Sequence, residues 1–219
     1  MARALLPSLD LAGWLVTGDA QYCQRDLSET VTDAGGEYLW AVKEHQPTLL
    51  EAITTLFAVP PPGERSRRVV RRGRHGDREE VRTLLASVAL NDYLDWPALG
   101  QVCRVERQVT RTGVTRHEVA FAVTSLTPAE AGPGRLLRHW QGHGQIENRL
   151  HWVRDVTFDE DRGQVRTGAG PQALAAIRNT AIGTIRRAGF TNVAAGLRHF
   201  AAHPDRILAV LGLVPPTRL

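Results

Sequence analysis

Residues 14–58 read WLVTGDAQYCQRDLSETVTDAGGEYLWAVKEHQPTLLEAITTLFA. Two short apolar runs, WLVTGDA and EYLWAVKE, have strand character, and each is followed by a segment of helical period, over about residues 22–34 and 47–57. The punctuation agrees. Gly35-Gly36 stands where a left-handed helix cap is wanted, and Pro47 suits a first helical turn, where a missing N–H leaves nothing unpaired. The expectation is a β-α-β-α unit of the α/β class. Asp19 falls at the C-terminal end of its first strand, the edge at which α/β sheets present functional groups. A carboxylate at that point also suits a helix N-cap or a turn.

Working outward, residues 59–63 (VPPPG) break the pattern, and a stretch of different composition follows. Residues 65–82 hold eight arginines against Asp77, Glu79 and Glu80, a balance of 8 − 3 = +5, while the whole chain nets +4. TLLASVAL, QVCRVERQVTR and HEVAFAVTSL then alternate or run β-branched, with Thr112-Gly113 as a hairpin turn between the last two. From Pro128 the pattern is helical: one long segment through Phe158, a second over PQALAAIRNTAIGTIRRAG, and a short one begun by Pro204. Three regions result: residues 1–58, an arginine-rich and mostly β insertion at 59–127, and C-terminal helices at 128–219.

Composition bounds the reading. A chain of 219 residues with 42% hydrophobic content can bury a real core. No stretch approaches the roughly 18 uninterrupted apolar residues that a membrane helix needs, and the N-terminus has no cleavable-signal layout. Cys23 and Cys103 form no CxxC pair, so a reducing cytoplasm is the expected compartment. Lys43 is the only lysine, so 26 of the 27 basic residues are arginine. Arginine forks match phosphate, although a GC-rich genome produces the same bias.

The second candidate site lies around Glu147. At about 100° per residue, Trp140, His143, Glu147, His151 and Arg154 fall within about 80° of one another, an acid flanked by imidazoles and a guanidinium. Ile146, Leu150 and Val153 lie to one side, as an amphipathic helix requires. A solvated face with pairs such as Glu147–His151 would look the same. His139, His143 and Glu147, spaced four apart, could also present three zinc ligands, but no second ligand cluster supports them.

The run HGQIENRLHWVRDVTFDED, residues 143–161, closely resembles the signature of insertion-sequence transposases of the H-repeat-associated (ISAs-one) type. TGDAQYCQRDLSETVTDAGGEYLWAVKEHQPTLLEAI resembles that family's segment around its second catalytic aspartate. RHGDREEVR resembles its link into the insertion, and RTGAGPQALAAIRNTAIGTIRRAGFTNVAAGLRHFAAHP its C-terminal helices. The resemblance implies an Asp-Asp-Glu transposase with a ribonuclease H-like catalytic core. Asp19 and Glu147 then match the second aspartate and the glutamate, and Trp140, His143 and Arg154 match the aromatic and basic positions around that glutamate. Arg154 stands where many relatives carry lysine, and Gly144 where they often carry tryptophan.

Under this resemblance Asp19 and Glu147 are catalytic and metal-ligating, in a two-ion site for Mg²⁺ or Mn²⁺ suited to in-line phosphoryl transfer. His143, Arg154, Trp140, His151, Lys43, Arg71, Arg72 and Arg74 position phosphate or DNA, the arginine-rich segment tracking backbone phosphates without reading sequence. For that segment the plainer reading is a solvated loop. The partners implied are transposon-end and target DNA, with a homodimer or a mixed dimer with intact transposase. Relatives carry their first aspartate in an upstream Ala-hydrophobic-Asp-Gly-Lys segment. The expectation is therefore a truncated copy lacking the first strands of the ribonuclease H-like sheet and catalytically impaired. Two alternatives accompany it: a non-catalytic DNA-binding remnant, and a nuclease using Asp155 or Asp159 as replacement carboxylate.

Overall fold

Trp40 and its neighbours set the architecture. In strand β2 (Glu37–Val42) Tyr38, Trp40 and Val42 are buried toward one side and Leu39 toward the other, so this strand must lie inside a sheet covered on both faces. A computed structural model, which describes residues 6–146 and 153–213, shows that arrangement. Strand β1 (Leu15–Gly18) pairs parallel to β2 through helix α1 (Arg25–Asp33). Gly35, at φ 75°, ends α1, its N–H and that of Gly36 donating to the Thr32 and Val31 carbonyls. Helix α2 (Pro47–Ala58) begins on Pro47 as expected.

Four antiparallel strands continue the same sheet: β3 (Arg67–His75), β4 (Arg78–Ser87), β5 (Gln101–Arg111) and β6 (Val114–Thr124). Among the described residues the order is β1-β2-β6-β5-β4-β3, with β6 antiparallel to β2. The residues read from sequence as an insertion are thus antiparallel strands hydrogen-bonded to β2 through β6. The arginine-rich run, for which a loop was one reading, forms strand β3, the turn after it and the first part of β4. Thr112 and Gly113, at φ 47° and 79°, make the two-residue hairpin turn expected there.

Helices α1 and α2 pack Leu27, Val31, Leu49 and Ile53 on the Tyr38–Trp40 side, and helix α3 (Pro133–Ile146) packs Leu136 and Leu137 on the other, against Leu84, Cys103 and Val105. The strands β3–β6 outrun β2. Beyond the Val42–Phe121 pair they extend to Val114 and Arg111, an arm of about 23 Å at roughly 3.3 Å per residue.

The chain divides into two compact units at His143/Gly144. In the second, helices α4 (Gly170–Arg187), α5 (Val193–Ala202) and α6 (Pro204–Val210) gather with Val153 around Ile182, Ile185, Val193 and Phe200. The sequence reading found α4 and α6 but not α5. Gly196 lowers the helical signal of α5, yet a Cβ there would stand 2.4 Å from Ile185 Cγ2, so glycine is what admits the close α4–α5 contact. The long helix read through Phe158 is present up to Ile146, the last described residue before 153, and residues 153–157 form a π-helical turn. Among the described residues no helix is long and apolar enough to cross a membrane.

Candidate functional site

Strand β1 ends at Gly18, where a Cβ would meet the Trp40 ring at 2.7 Å, so only glycine lets β1 close down on the buried indole. Asp19 follows in extended conformation (φ −71°, ψ −177°) and is exposed. It stands at the N-cap position of a short 3₁₀ turn (Ala20–Tyr22) but its carboxylate makes no capping hydrogen bond. The plain capping role therefore does not occupy it, and its oxygens are available to a hard cation.

Lys43 is exposed immediately after β2, the parallel neighbour of β1, so Asp19 and Lys43 share the C-terminal edge of the two strands. The arm of β3–β6 projects beyond that same edge, since β6 runs past Val42 in the direction β2 points.

Helix α3 crosses the sheet. Near its start the Gly134 carbonyl accepts from Arg71 of β3 (3.5 Å), and near its end His143 Nδ1 lies 3.2 Å from Thr17 Oγ1 of β1. Thr17 and Asp19 are two apart on an extended chain, which puts them on one side of the sheet, the α3 side. His143 is thereby held beside the strand end that bears Asp19. Thr17 escaped the sequence reading, because a contact across 126 residues leaves no local periodic signal.

Trp140 is partly buried against the Leu39–Leu136–Leu137 cluster, where its indole seats α3 on the sheet. His139 takes a different partner from His143, accepting from Arg135 Nε at 3.4 Å; burial and then the Arg135 and Arg138 charges hold its pKa low. Glu147 and His151 lie outside the described residues. Among the described residues no three His, Cys, Asp or Glu side chains gather into a metal-binding group.

Arg72 is exposed, and Arg74 stands 3.8 Å from Glu79. Arg154, in the second unit, is engaged: Nε and NH2 donate to Glu160 at 2.5 and 2.8 Å, and Arg178 donates to the same carboxylate at 3.2 Å. The Arg154–Glu160 spacing of six residues is not a helical neighbour distance, so sequence pattern could not announce it. Cys23 and Cys103 are buried thiols, each pushed up to about 12 by that burial, which leaves them inert near neutrality.

The arginine-held carboxylates predict an acid limb of stability. Hydrogen bonds from Arg154 hold Glu160 below its ordinary value of 4.5, against the opposing effect of burial. For Glu80 burial pushes upward, but hydrogen bonds from Arg107 and Arg82 outweigh it and the net shift is downward. A depressed folded-state pKa stabilises above the unfolded value and is lost as pH falls through the folded one. Melting temperature should therefore hold from pH 7 to about 4.5 and then drop, and Glu80→Gln and Glu160→Gln should each flatten that drop when melting is followed by circular dichroism. An unchanged acid limb in both variants would refute the assignment.

A family model described as "Transposase DDE domain" matches residues 1–183. The "H repeat-associated putative transposase YhhI" of Escherichia coli (strain K12) is 29% identical over 185 residues, covering 81% of this chain and 49% of the relative. "Putative protein YbfL" of the same strain matches with the same identity and coverage, and the "H repeat-associated putative transposase YbfD" is 42% identical over 53 residues, 24% of this chain and 21% of the relative. The chain spans about half the length of the first two. No solved structure matches.

Proposed function

This chain belongs to the transposase DDE domain family, and from that premise we propose that it acts in DNA transposition, contributing Asp19 and Glu147 to a metal-dependent site that cuts and joins transposon-end DNA on a ribonuclease H-like core. The observation that carries the reading is the Thr17–His143 hydrogen bond. It fixes the helix that leads into the Glu147 signature beside the strand end bearing Asp19, and His143 is four residues before Glu147 in sequence.

The donor chemistry fits Mg²⁺ or Mn²⁺: Asp19 is an exposed carboxylate without a capping bond, and carboxylate oxygens suit hard cations. Two such ions would supply activation of the attacking oxygen and stabilisation of the leaving one, and Asp19 and Glu147 would help hold them. His143, oriented by Thr17, and Lys43 on the same sheet edge meet the scissile or flanking phosphates, as point contacts that place the backbone. Arg154 spends two donors on Glu160, so it positions a phosphate through its remaining NH1 group or by exchanging Glu160 for the phosphate. His151 is proposed to contact phosphate as well, and Trp140 acts through its placement of the helix. Two protomers, or a mixed dimer with an intact transposase, bring two ends together.

The test uses the purified chain and the DNA flanking its gene, with Mg²⁺ or Mn²⁺. Binding that weakens steeply with salt, together with at most weak metal-dependent nicking, is the expected result for a catalytically impaired copy. Binding without nicking under either ion favours the non-catalytic alternative, in which the chain competes with an intact transposase for ends. Absence of binding even at low salt, where phosphate contacts are strongest, overturns both.

A further inference from the structure

The two faces of the β3–β6 arm carry arginine in different states, and we infer that duplex DNA lies against the face bearing Arg68, Arg72 and Arg74, with the opposite face serving to stiffen the arm. The inference rests on the DNA-binding reading above and adds which surface does the binding.

Alternation along each strand sorts the side chains. The register pairs Arg68 with Leu85, Val70 with Thr83 and Arg72 with Val81, and carries that row across to Arg104, Glu106 and Gln108. The other face takes Arg71, Arg82, Glu80, Arg107 and Glu118.

On that second face most of the charge is spent. Glu80 is bound by Arg78 (3.1 Å), Arg82 (2.6 Å) and Arg107 (2.8 Å), and Arg107 also reaches Glu118 at 2.9 Å. Arg111 pairs with Asp77 at 3.1 Å, and Arg71 is given to the Gly134 carbonyl. Beyond that carbonyl contact Arg71 has no ion pair, and Arg116 on the same face has none, among the described residues. A lattice of this kind ties β4, β5 and β6 side chain to side chain, and its arginines could meet phosphate only by giving up a partner that already satisfies them.

The first face is different. Arg68 and Arg72 are exposed and have no ion pair among the described residues, and Arg74, with 74% of its side chain exposed, has only the 3.8 Å contact to Glu79. Of the two acids on this face, Glu79 is the one near Arg74, and Glu106 is already neutralised by Arg104 at 2.8 Å, with His117 at 3.7 Å. Between them lies a shallow depression of about 670 Å³ lined by Arg68, Arg72, Val70, Val81, Thr83 and Glu106. Its floor is short and β-branched, so a backbone can approach while the arginines stand at the rim. Arg68 to Arg74 spans about 20 Å of strand, comparable with roughly six phosphates of one DNA strand at 3.4 Å of axis each. Unpaired, exposed guanidinium groups aligned on one strand release counterions on binding; paired ones do so far less.

The experiment compares two double variants with matched charge loss in the full chain, Arg68→Gln/Arg72→Gln and, from the ion-paired face, Arg107→Gln/Arg111→Gln, by fluorescence anisotropy on a duplex across a NaCl series. The first should make the slope of log K against log salt shallower by about 1.8, from about 0.9 per phosphate contact, and weaken binding at every salt concentration. The second should leave the slope unchanged. Arg68→Lys/Arg72→Lys should restore most of the slope, which a merely misfolded arm could not do. If instead the Arg107/Arg111 pair carries the loss, or both pairs carry it equally, the face assignment is overturned while DNA binding stands. If the unaltered chain shows no salt-dependent binding, the DNA reading itself fails and this inference fails with it.

Discussion

In a version joined to the upstream aspartate segment that relatives carry, Asp19→Asn is expected to lower metal-dependent cutting of end DNA by about a thousandfold while leaving binding to the same DNA unchanged or slightly stronger. The substitution is nearly isosteric, and the carboxylate it removes makes no capping bond and sits on an exposed, extended residue, so folding loses nothing that the structure shows. Surface changes of this kind ordinarily stay within about 0.5 kcal/mol. What changes is the charge presented to a cation. A metal ion supplies several kcal/mol of transition-state charge stabilisation, and each 1.36 kcal/mol is a factor of ten in rate, so losing about 4 kcal/mol gives the thousandfold figure. On the proposed reading binding is set by arginines elsewhere, and deleting a negative charge near phosphate can only help it. Mn²⁺ titration followed by electron paramagnetic resonance supplies a readout that does not depend on turnover: the asparagine variant should bind the ion at least tenfold more weakly. Equal Mn²⁺ affinity and equal cutting in the two proteins would remove Asp19 from the site.

The parts of the fold legible in the sequence are those whose side chains alternate or repeat against a single buried face. The β-α-β-α unit was of this kind, as were the Pro47 helix start, the Gly35 cap and the Thr112-Gly113 turn, because each of these has a local steric cause. Strand β3 was not, since RRVVRRGRH places arginine on both of its faces and its strand state is imposed by pairing with β4 over the whole Arg67–His75 length. Helix α5 was hidden by a glycine that tertiary packing requires. The same division runs through the site. Asp19 was visible because a strand end is a position that sequence can locate, and its freedom from capping was not, because that depends on where neighbouring N–H groups point. The helical face through Trp140 and His143 was read as polar, but Trp140 turns partly into the core, and His143 acquires its orientation from a threonine far away in the chain. Arg154 was grouped by helical period with Glu147, and its partner Glu160 lies across a π-helical turn where that period no longer applies.

The second large effect concerns the indole that supports the strand end. Trp40 is 1% exposed, stacks on Tyr38 at a ring separation of 5.6 Å, donates from Nε1 to Ser28 Oγ at 3.1 Å, and abuts Gly18, the residue before Asp19. One side chain thus joins β2, α1 and the end of β1. Trp40→Ala is expected to cost about 3–5 kcal/mol, the transfer free energy of the ring plus the cavity it leaves. Against a total stability of about 5–15 kcal/mol for an ordinary domain, that brings the unit close to its unfolding threshold. Trp40→Phe keeps most of the apolar area and loses the indole N–H; Ser28 Oγ stays satisfied because it donates to the Gln24 carbonyl at 2.9 Å. Its cost should be closer to the loss of one hydrogen bond plus a smaller cavity, about 1–2 kcal/mol. Urea unfolding of the three proteins at pH 7 separates these values, and the m-value checks that the denatured state is the same. The consequence for the site follows from position. With the ring gone, β1 no longer has a rigid surface behind Gly18, so Trp40→Ala under conditions that keep it folded should weaken Mn²⁺ binding at Asp19, whereas Trp40→Phe should not. A Trp40→Ala protein less than 1 kcal/mol destabilised, with undiminished metal affinity, would show that the strand end is held in place by something other than this contact.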